Sequence, residues 1–231
     1  MATVTTERVD GVLVVHIDDG KANALSKQII GDIVAALGVA EGDENICSMV
    51  IHGRAGTFSA GFDLSVMRSG DVSAMVDLVA DGGDLVRRLY GASVPVVAAC
   101  TGHALAAGAL MLLGCDVRIG ADVDCKIGLN EVAIGMVLPD WAFTIAGERL
   151  SKRHLQQAVA TARITGARGA ADAGYLDEVV AADEVLDAAI ARAASFASLD
   201  SYAYSGTVQK LRGDVLTTMA QQVAADRAAV A

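Results

Sequence analysis

The sequence predicts an α/β core followed by a helical C-terminal part, and three observations support this. Short β-branched runs alternate with segments of helical apolar spacing as far as residue 180. From residue 181 the pattern is helical only. No repeat, low-complexity tail or shift of composition divides the 231 residues. Residues 1–180 are therefore expected to form the core, and residues 181–231 a packing or subunit-contact segment of the same domain.

Residues 11–17 are a β-branched run closed by Asp18, Asp19 and Gly20, which reads as a strand and a turn. Ser26 is placed to cap a helix running to about Ala40, with Ile29, Ile30, Ile33, Val34 and Leu37 on one face. Residues 47–52 predict a second strand that stops at Gly53. Residues 54–64 are glycine-punctuated and read as irregular. Residues 71–90 read as a helix, with Gly82 and Gly83 a point where it could bend or break, each costing about 1 kcal/mol against alanine. Residues 94–100 are almost continuously apolar, as in a strand buried on both faces.

A short apolar helix follows, opening in residues 101–108 and reaching Leu113. Residues 116–120 read as another strand, and residues 125–128 as a short one. Downstream, Ser151 can cap a helix to about Ala162. Residues 166–174 read as a turn and a short helix, and residues 175–180 as a strand. Residues 183–199 and about 204–228 predict two alanine-rich amphipathic helices.

The composition excludes several classes of function. Hydrophobic residues make up 53% of the chain, ample for a core, while aromatics are only 4%, so aliphatic side chains must do most of the packing. A formal net charge of −10 argues against nucleic acid or an anionic membrane as a partner. Cys47, Cys100, Cys115 and Cys125 are scattered without metal spacing and read as reduced thiols. The first ten residues lack an apolar signal-peptide run, and no long uncharged apolar stretch suggests a membrane span. A cytoplasmic globular protein is expected. His16, His52, His103 and His154 show no ligand spacing, so no metal is expected.

Chemistry concentrates in residues 128–141, where Glu131 stands among Leu129, Val132, Ile134, Val137 and Leu138. Burying a lone carboxylate raises its pKa and makes it a proton-transfer group near neutral pH. Taken alone, the stretch fits either such a base or an exposed glutamate at the mouth of a loop. Upstream, Gly61 before Phe62 lets the backbone turn a peptide N–H toward a ligand. The small residues 104–109 at a helix start leave unpaired N–H donors. Two converging donors would make an oxyanion hole, although each segment alone also fits an ordinary strand-to-helix turn. Neither matches the glycine fingerprints of dinucleotide or P-loop sites.

Five segments, residues 21–25, 58–64, 95–104, 128–131 and 165–180, resemble the crotonase superfamily in order and spacing. The likeness implies a spiral of ββα units with C-terminal helices, assembled as trimers or dimers of trimers. It implies an acyl-CoA thioester as substrate, with no cofactor beyond the coenzyme A that the substrate carries. It places the two oxyanion donors at Phe62 and Ala107. Lys21, Ala22, Asn23, Ala24 and Leu25, with Ala60, Gly61, Asp63 and Leu64, would line the coenzyme A channel.

The hydratases' second acid falls on Glu131, but their first falls on Leu110. Asn130 and Trp141 are further expected substrate contacts, Trp141 as core or acyl-pocket wall. One base suffices to move a double bond, whereas water addition is commonly assigned to two acids. The run Gly128-Leu129-Asn130-Glu131 and the later Trp141 also resemble the mitochondrial-type 3,2-enoyl-CoA isomerases. An isomerase is therefore expected, with a hydratase and a non-catalytic acyl-CoA-binding protein as alternatives.

Overall fold

The computed structural model describes residues 3–229, so the outermost residues of the two expected segments, 1–2 and 230–231, lie outside the described residues. Strand β1 (Val4–Val9) pairs antiparallel with β2 (Val12–Ile17) through a tight turn at Asp10 and Gly11, both at positive φ. β1 has no counterpart in the sequence reading. Its Thr5, Thr6, Glu7 and Arg8 are exposed on an edge and show no apolar alternation. Helix α1 (Lys27–Gly42) is capped as expected, the Ser26 hydroxyl accepting from the Ile29 N–H at 3.3 Å. Strand β3 (Ser48–His52) follows.

The stretch expected to be irregular contains strand β4 (Gly56–Ser59) and leads into the short helix α2 (Leu64–Met67). Helix α3 (Val72–Tyr90) runs unbroken through Gly82 and Gly83. A Cβ on Gly82 would stand 2.4 Å from the Phe62 ring, and one on Gly83 2.9 Å from the Trp141 indole. The two glycines therefore admit aromatic rings against the helix instead of breaking it.

Strand β5 (Val96–Cys100) leads to a third unanticipated strand, β6 (Gly102–Leu105), before helix α4 (Ala107–Gly114). Strands β7 (Val117–Ala121) and β8 (Ile127–Gly128) follow. Helix α5 (Asp140–Arg149) also had no counterpart in the sequence reading.

Helix α6 (Lys152–Val159) starts after Ser151, whose side chain makes no capping bond, and it ends earlier than expected. Helix α7 (Ala167–Ala173) closes on Gly174 in the left-handed conformation that favours glycine. Strand β9 (Glu178–Val180), helix α8 (Val185–Ala194) and helix α9 (Ser201–Ala228) complete the chain. α9 buries only Val208, Met219 and Val223, so it has a narrow apolar seam instead of a broad apolar face.

Two sheets result. The larger has the order β1-β2-β3-β5-β7-β9, with all pairs parallel except β1-β2. The smaller, β4-β6-β8, is wholly parallel. Buried aliphatic side chains fill the space between sheets and helices, with Trp141, Tyr175 and Phe58 the largest fully enclosed.

α9 is tied down by a half-buried polar cluster. Arg212 donates to Asp116 and to the Tyr90 carbonyl at 2.7 and 2.8 Å, and Tyr204 donates to Asp116 at 3.1 Å. This anchor carries the end of α9 across the candidate site.

Candidate active site

Each strand of the small sheet delivers one candidate group at its C-terminal end. β4 runs into Ala60–Phe62, β6 into Ala106 and Ala107, and β8 into Asn130 and Glu131. Ligand sites gather at the carboxyl ends of parallel strands because the chain leaves the sheet there on one side. The three exits are bonded together: the Ala106 N–H donates to the Gly128 carbonyl at 3.0 Å. A Cβ on Gly61 would meet Ala106 Cβ at 3.0 Å and Ala107 N at 3.5 Å, so these two backbones nearly touch. Gly108 seats the helix against β4, since a Cβ there would stand 2.3 Å from the Ser59 carbonyl oxygen.

The expected channel segments form a short ladder. Ala60 N–H donates to Ala22, Leu25 N–H to Gly61, and Asp63 N–H to Leu25, at 2.9, 2.8 and 3.1 Å. Leu25 and Phe62 are the bridge partners of this parallel pairing, which directs the Phe62 N–H away from Leu25. Among the described residues, neither the Phe62 N–H nor the Ala107 N–H has an acceptor. Ala106 is strained, with φ 50 and ψ −124, a conformation that L-residues seldom hold. Such strain of about 1–3 kcal/mol persists where the surroundings impose it, and it collects at functional sites.

Glu131 is 8% exposed. Its Oε2 is buried and meets no donor among the described residues. Burial pushes its pKa above the usual carboxylate range. Only two of the five apolar neighbours named in the sequence are buried with it. Leu129 and Leu138 are buried, but Val132, Ile134 and Val137 are exposed on a rim beyond the acid. Glu131 opens a single 3-10 turn (Val132–Ile134), whose chain folds back so that the Ile134 and Met136 N–H groups donate to the Glu131 carbonyl. That turn puts the apolar side chains outside.

A cavity of about 470 Å³ joins these groups. Ala60, Phe62, Leu64, Leu110, Asn130, Glu131 and Trp141 all line it, as does Ala106 beside the Ala107 donor. Leu110, one turn into α4, is 1% exposed and gives that wall an apolar surface. Wider surface depressions of about 690 Å³ between α3 and α9 and about 610 Å³ beside β1 lie away from these groups.

Several expected contacts stand behind the site instead of lining it. Asn23 is fully buried, its Nδ2 donating to the Ile17 carbonyl at 2.8 Å and the Phe58 carbonyl at 3.2 Å. It therefore fastens the loop to β4, and its side chain, like that of the buried Leu25, cannot touch a substrate. Asp63 caps α2 through the Ser65 N–H. Gly61 serves by its close approach to Ala106. Lys21 is exposed, Ala22 and Ala24 are half-buried, and none of them reaches the cavity wall. The Nδ1 of His103, the histidine nearest this region in sequence, accepts from the Lys126 N–H at 2.9 Å and does not line the cavity.

Other wall residues had no reading as site residues, among them Met75, Val76 and Val79 of α3 and Asp226 of α9. An apolar helix face looks the same in sequence whether it covers a core or a cavity.

The model of the family described as enoyl-CoA hydratase/isomerase matches residues 7–230. The chain belongs to the enoyl-CoA hydratase/isomerase family. Its relatives carry both names. Enoyl-CoA delta isomerase 1, mitochondrial, of Mus musculus is 30% identical over 184 residues, covering 79% of this chain and 64% of the mouse protein. The chain thus spans somewhat under two thirds of that relative.

The crystal structure of a probable enoyl-CoA hydratase from Mycobacterium tuberculosis superimposes with a TM-score of 0.94 at 36% identity, covering 99% of this chain and 96% of that one. Human mitochondrial delta3-delta2-enoyl-CoA isomerase gives a TM-score of 0.92 at 27% identity, covering 98% and 89%. The mixed α/β fold with its helical C-terminal part is therefore the fold of this family, whose members are enzymes. No helix among the described residues is long and apolar enough to cross a membrane.

Proposed function

We propose that this enzyme moves the double bond of a 3-enoyl-CoA to the 2-position, with Glu131 as the single proton shuttle. The thioester oxygen accepts from the Phe62 and Ala107 N–H groups, which stabilise the negative charge that builds on it in the dienolate. Glu131 takes a proton from C2, the double bond migrates, and the same carboxyl returns a proton at C4. The C2–H bond broken and the C4–H bond formed leave Glu131 ionised again, ready for the next turnover. Burial of Glu131 makes it a stronger base than an exposed carboxylate, which suits removal of a carbon-bound proton. No cofactor beyond the coenzyme A of the substrate is called on.

The observation that carries this reading is Leu110. The position where the resemblance places a hydratase's first acid is a buried leucine in the cavity wall, facing the same space as Glu131. A second carboxyl, Asp226, lines the cavity from the last turn of α9, not from the α4 position where the resemblance places a hydratase's first acid. Water addition to a 2-enoyl-CoA is the second reading, favoured by relatives named probable enoyl-CoA hydratase, such as the Bacillus subtilis protein; the Mycobacterium tuberculosis protein carries both names.

Glu131→Gln tests the role of the base. Isomerisation should fall by at least about a hundredfold while acyl-CoA binding, followed by calorimetry, is retained. Near-normal turnover in that variant would remove Glu131 from the chemistry.

A further inference from the structure

Helix α3 turns one apolar stripe to the cavity, and the stripe has a gap. Met75, Val76 and Val79 line the wall. Gly82 follows Val79 by three residues, on the same face of the helix. The space where its side chain would stand is taken by the Phe62 ring, since a Cβ on Gly82 would lie 2.4 Å from both Cε1 and Cζ of that ring. Alanine would serve the interior of α3 better than glycine, so helix stability is given up here to seat the ring.

The neighbouring Gly83 looks alike but answers a different need. A Cβ there would meet the Trp141 indole at 2.9 Å and Val223 at 2.7 Å, and both of those side chains are buried, so the contact belongs to the core. Phe62 is only half-buried and lines the cavity. Its backbone carries the N–H proposed as an oxyanion donor, and its ring reaches from there to α3 with the far edge on Gly82. On its buried side the ring packs against the core, so the open space it can turn into is the cavity.

We propose that Gly82 sets the length of acyl chain that the cavity accepts, by holding the Phe62 ring against α3 and out of the chain's path. The inference rests on the acyl-CoA reading of the cavity. With the thioester at the Phe62 N–H, the apolar wall continues from Gly82 back to Met75, about 10 Å along the helix at roughly 1.5 Å per residue. A ring displaced by a methyl group would stand between the donor and that wall. Because the far edge of the ring moves, the reacting carbons keep their place and the chain beyond them loses its own. Gly82 touches no reacting atom and acts through Phe62, so it is a positioning residue.

Calorimetric titration of the whole protein with saturated acyl-CoAs tests this without turnover. The probes are butyryl-CoA, whose chain ends at C4, and decanoyl-CoA. In Gly82→Ala, decanoyl-CoA should lose about tenfold in affinity relative to butyryl-CoA, the contribution of roughly two buried methylenes. Phe62→Leu removes the ring edge that the methyl would push. Adding Gly82→Ala to Phe62→Leu should therefore leave the ratio of the two affinities within about twofold of that in Phe62→Leu alone. A substitution that merely loosened α3 would weaken both probes alike and would not depend on residue 62.

An unchanged ratio in Gly82→Ala would overturn the proposal. So would equal weakening of both probes, or a selective loss that persists in the double variant. If Gly82→Ala alone does not fold by circular dichroism, the double variant should fold and keep the Phe62→Leu ratio, and an unfolded double variant would overturn the proposal as well. If the wild type bound neither probe, the acyl-CoA reading of the cavity itself would fail, and that result is distinct from unchanged selectivity.

Discussion

Glu131 shows how one side chain can carry activity and weaken the fold at once. Its folded pKa lies above the unfolded value, so between the two the folded protein holds more protons than the unfolded chain. Stability is therefore highest below the unfolded pKa and falls as pH rises through the folded one. At neutral pH the buried charge is a net cost, and Glu131→Gln should raise the melting temperature while it lowers turnover. The wild-type rate should fall on the acid side with a midpoint above the ordinary carboxylate value, because only ionised Glu131 removes the C2 proton. A pH–rate profile with no such limb, or a Glu131→Gln protein that melts lower, would contradict this account of the residue.

The residue scale was also where the sequence was most informative. Glu131, Phe62, Ala107 and Leu110 could be named because their segments carry recognisable patterns, and three of these residues line one cavity while Ala107 adjoins it. Asn23 and Leu25 were expected at the substrate for the same reason, and they are buried. A motif marks residues that must be kept, and a side chain fastening a loop is kept as strictly as one facing a ligand.

At the scale of elements, the site depends on how α4 meets the small sheet. Ala107 is the first residue of α4, where a proline removes an N–H that the helix itself does not use. Ala107→Pro should cost about 2.7–4 kcal/mol of transition-state stabilisation if that N–H serves the oxyanion. Phe62→Ala should be milder for the chemistry, because the donor there is backbone. Folding of both variants is checked first by melting temperature and far-ultraviolet circular dichroism, since Ala106 is already strained and a following proline restricts it further. A folded, fully active Ala107→Pro protein would exclude the donor.

Of the small sheet only β8 was legible in the sequence, as the short strand read over residues 125–128. β4 and β6 are four residues long, both begin with glycine, and neither shows enough alternation to be told from a loop. α3 was misjudged for a related reason: Gly82 and Gly83 carry a helix-breaking propensity, yet the rings of Phe62 and Trp141 need the space they leave. Tertiary packing decided both.

Across the whole molecule, the large sheet is a scaffold with its own sensitivity to acid. Next to the edge strand β1, His16 Nδ1 lies 2.9 Å from His52 Nδ1, and His16 Nε2 lies 2.9 Å from Glu7 Oε1. Burial and then the neighbouring His16 lower the His52 pKa from 6.5 to about 4, with Glu7 partly opposing them. Between those values the unfolded chain binds more protons than the folded one, so stability falls as pH drops from 6.5 toward 4. His52→Asn should flatten that part of a melting-temperature profile. An unchanged slope would show that His52 does not contribute to it. This pair lies in the sheet that supports the site, so the acid loss of stability should be separable from the acid limb of the rate.

The account as a whole turns on one carboxylate facing an apolar wall, and a paired assay tests it most directly. Isomerisation of a 3-enoyl-CoA and hydration of a 2-enoyl-CoA of the same chain length are measured in the wild type and in Leu110→Glu. The wild type should isomerise readily and hydrate poorly, because Leu110 keeps water from the enolate at the position where the resemblance places a hydratase's first acid. Leu110→Glu should gain some hydration and lose some isomerisation, the gain limited by the cost of burying a second acid. Efficient hydration by the wild type with negligible isomerisation would contradict the single-base mechanism.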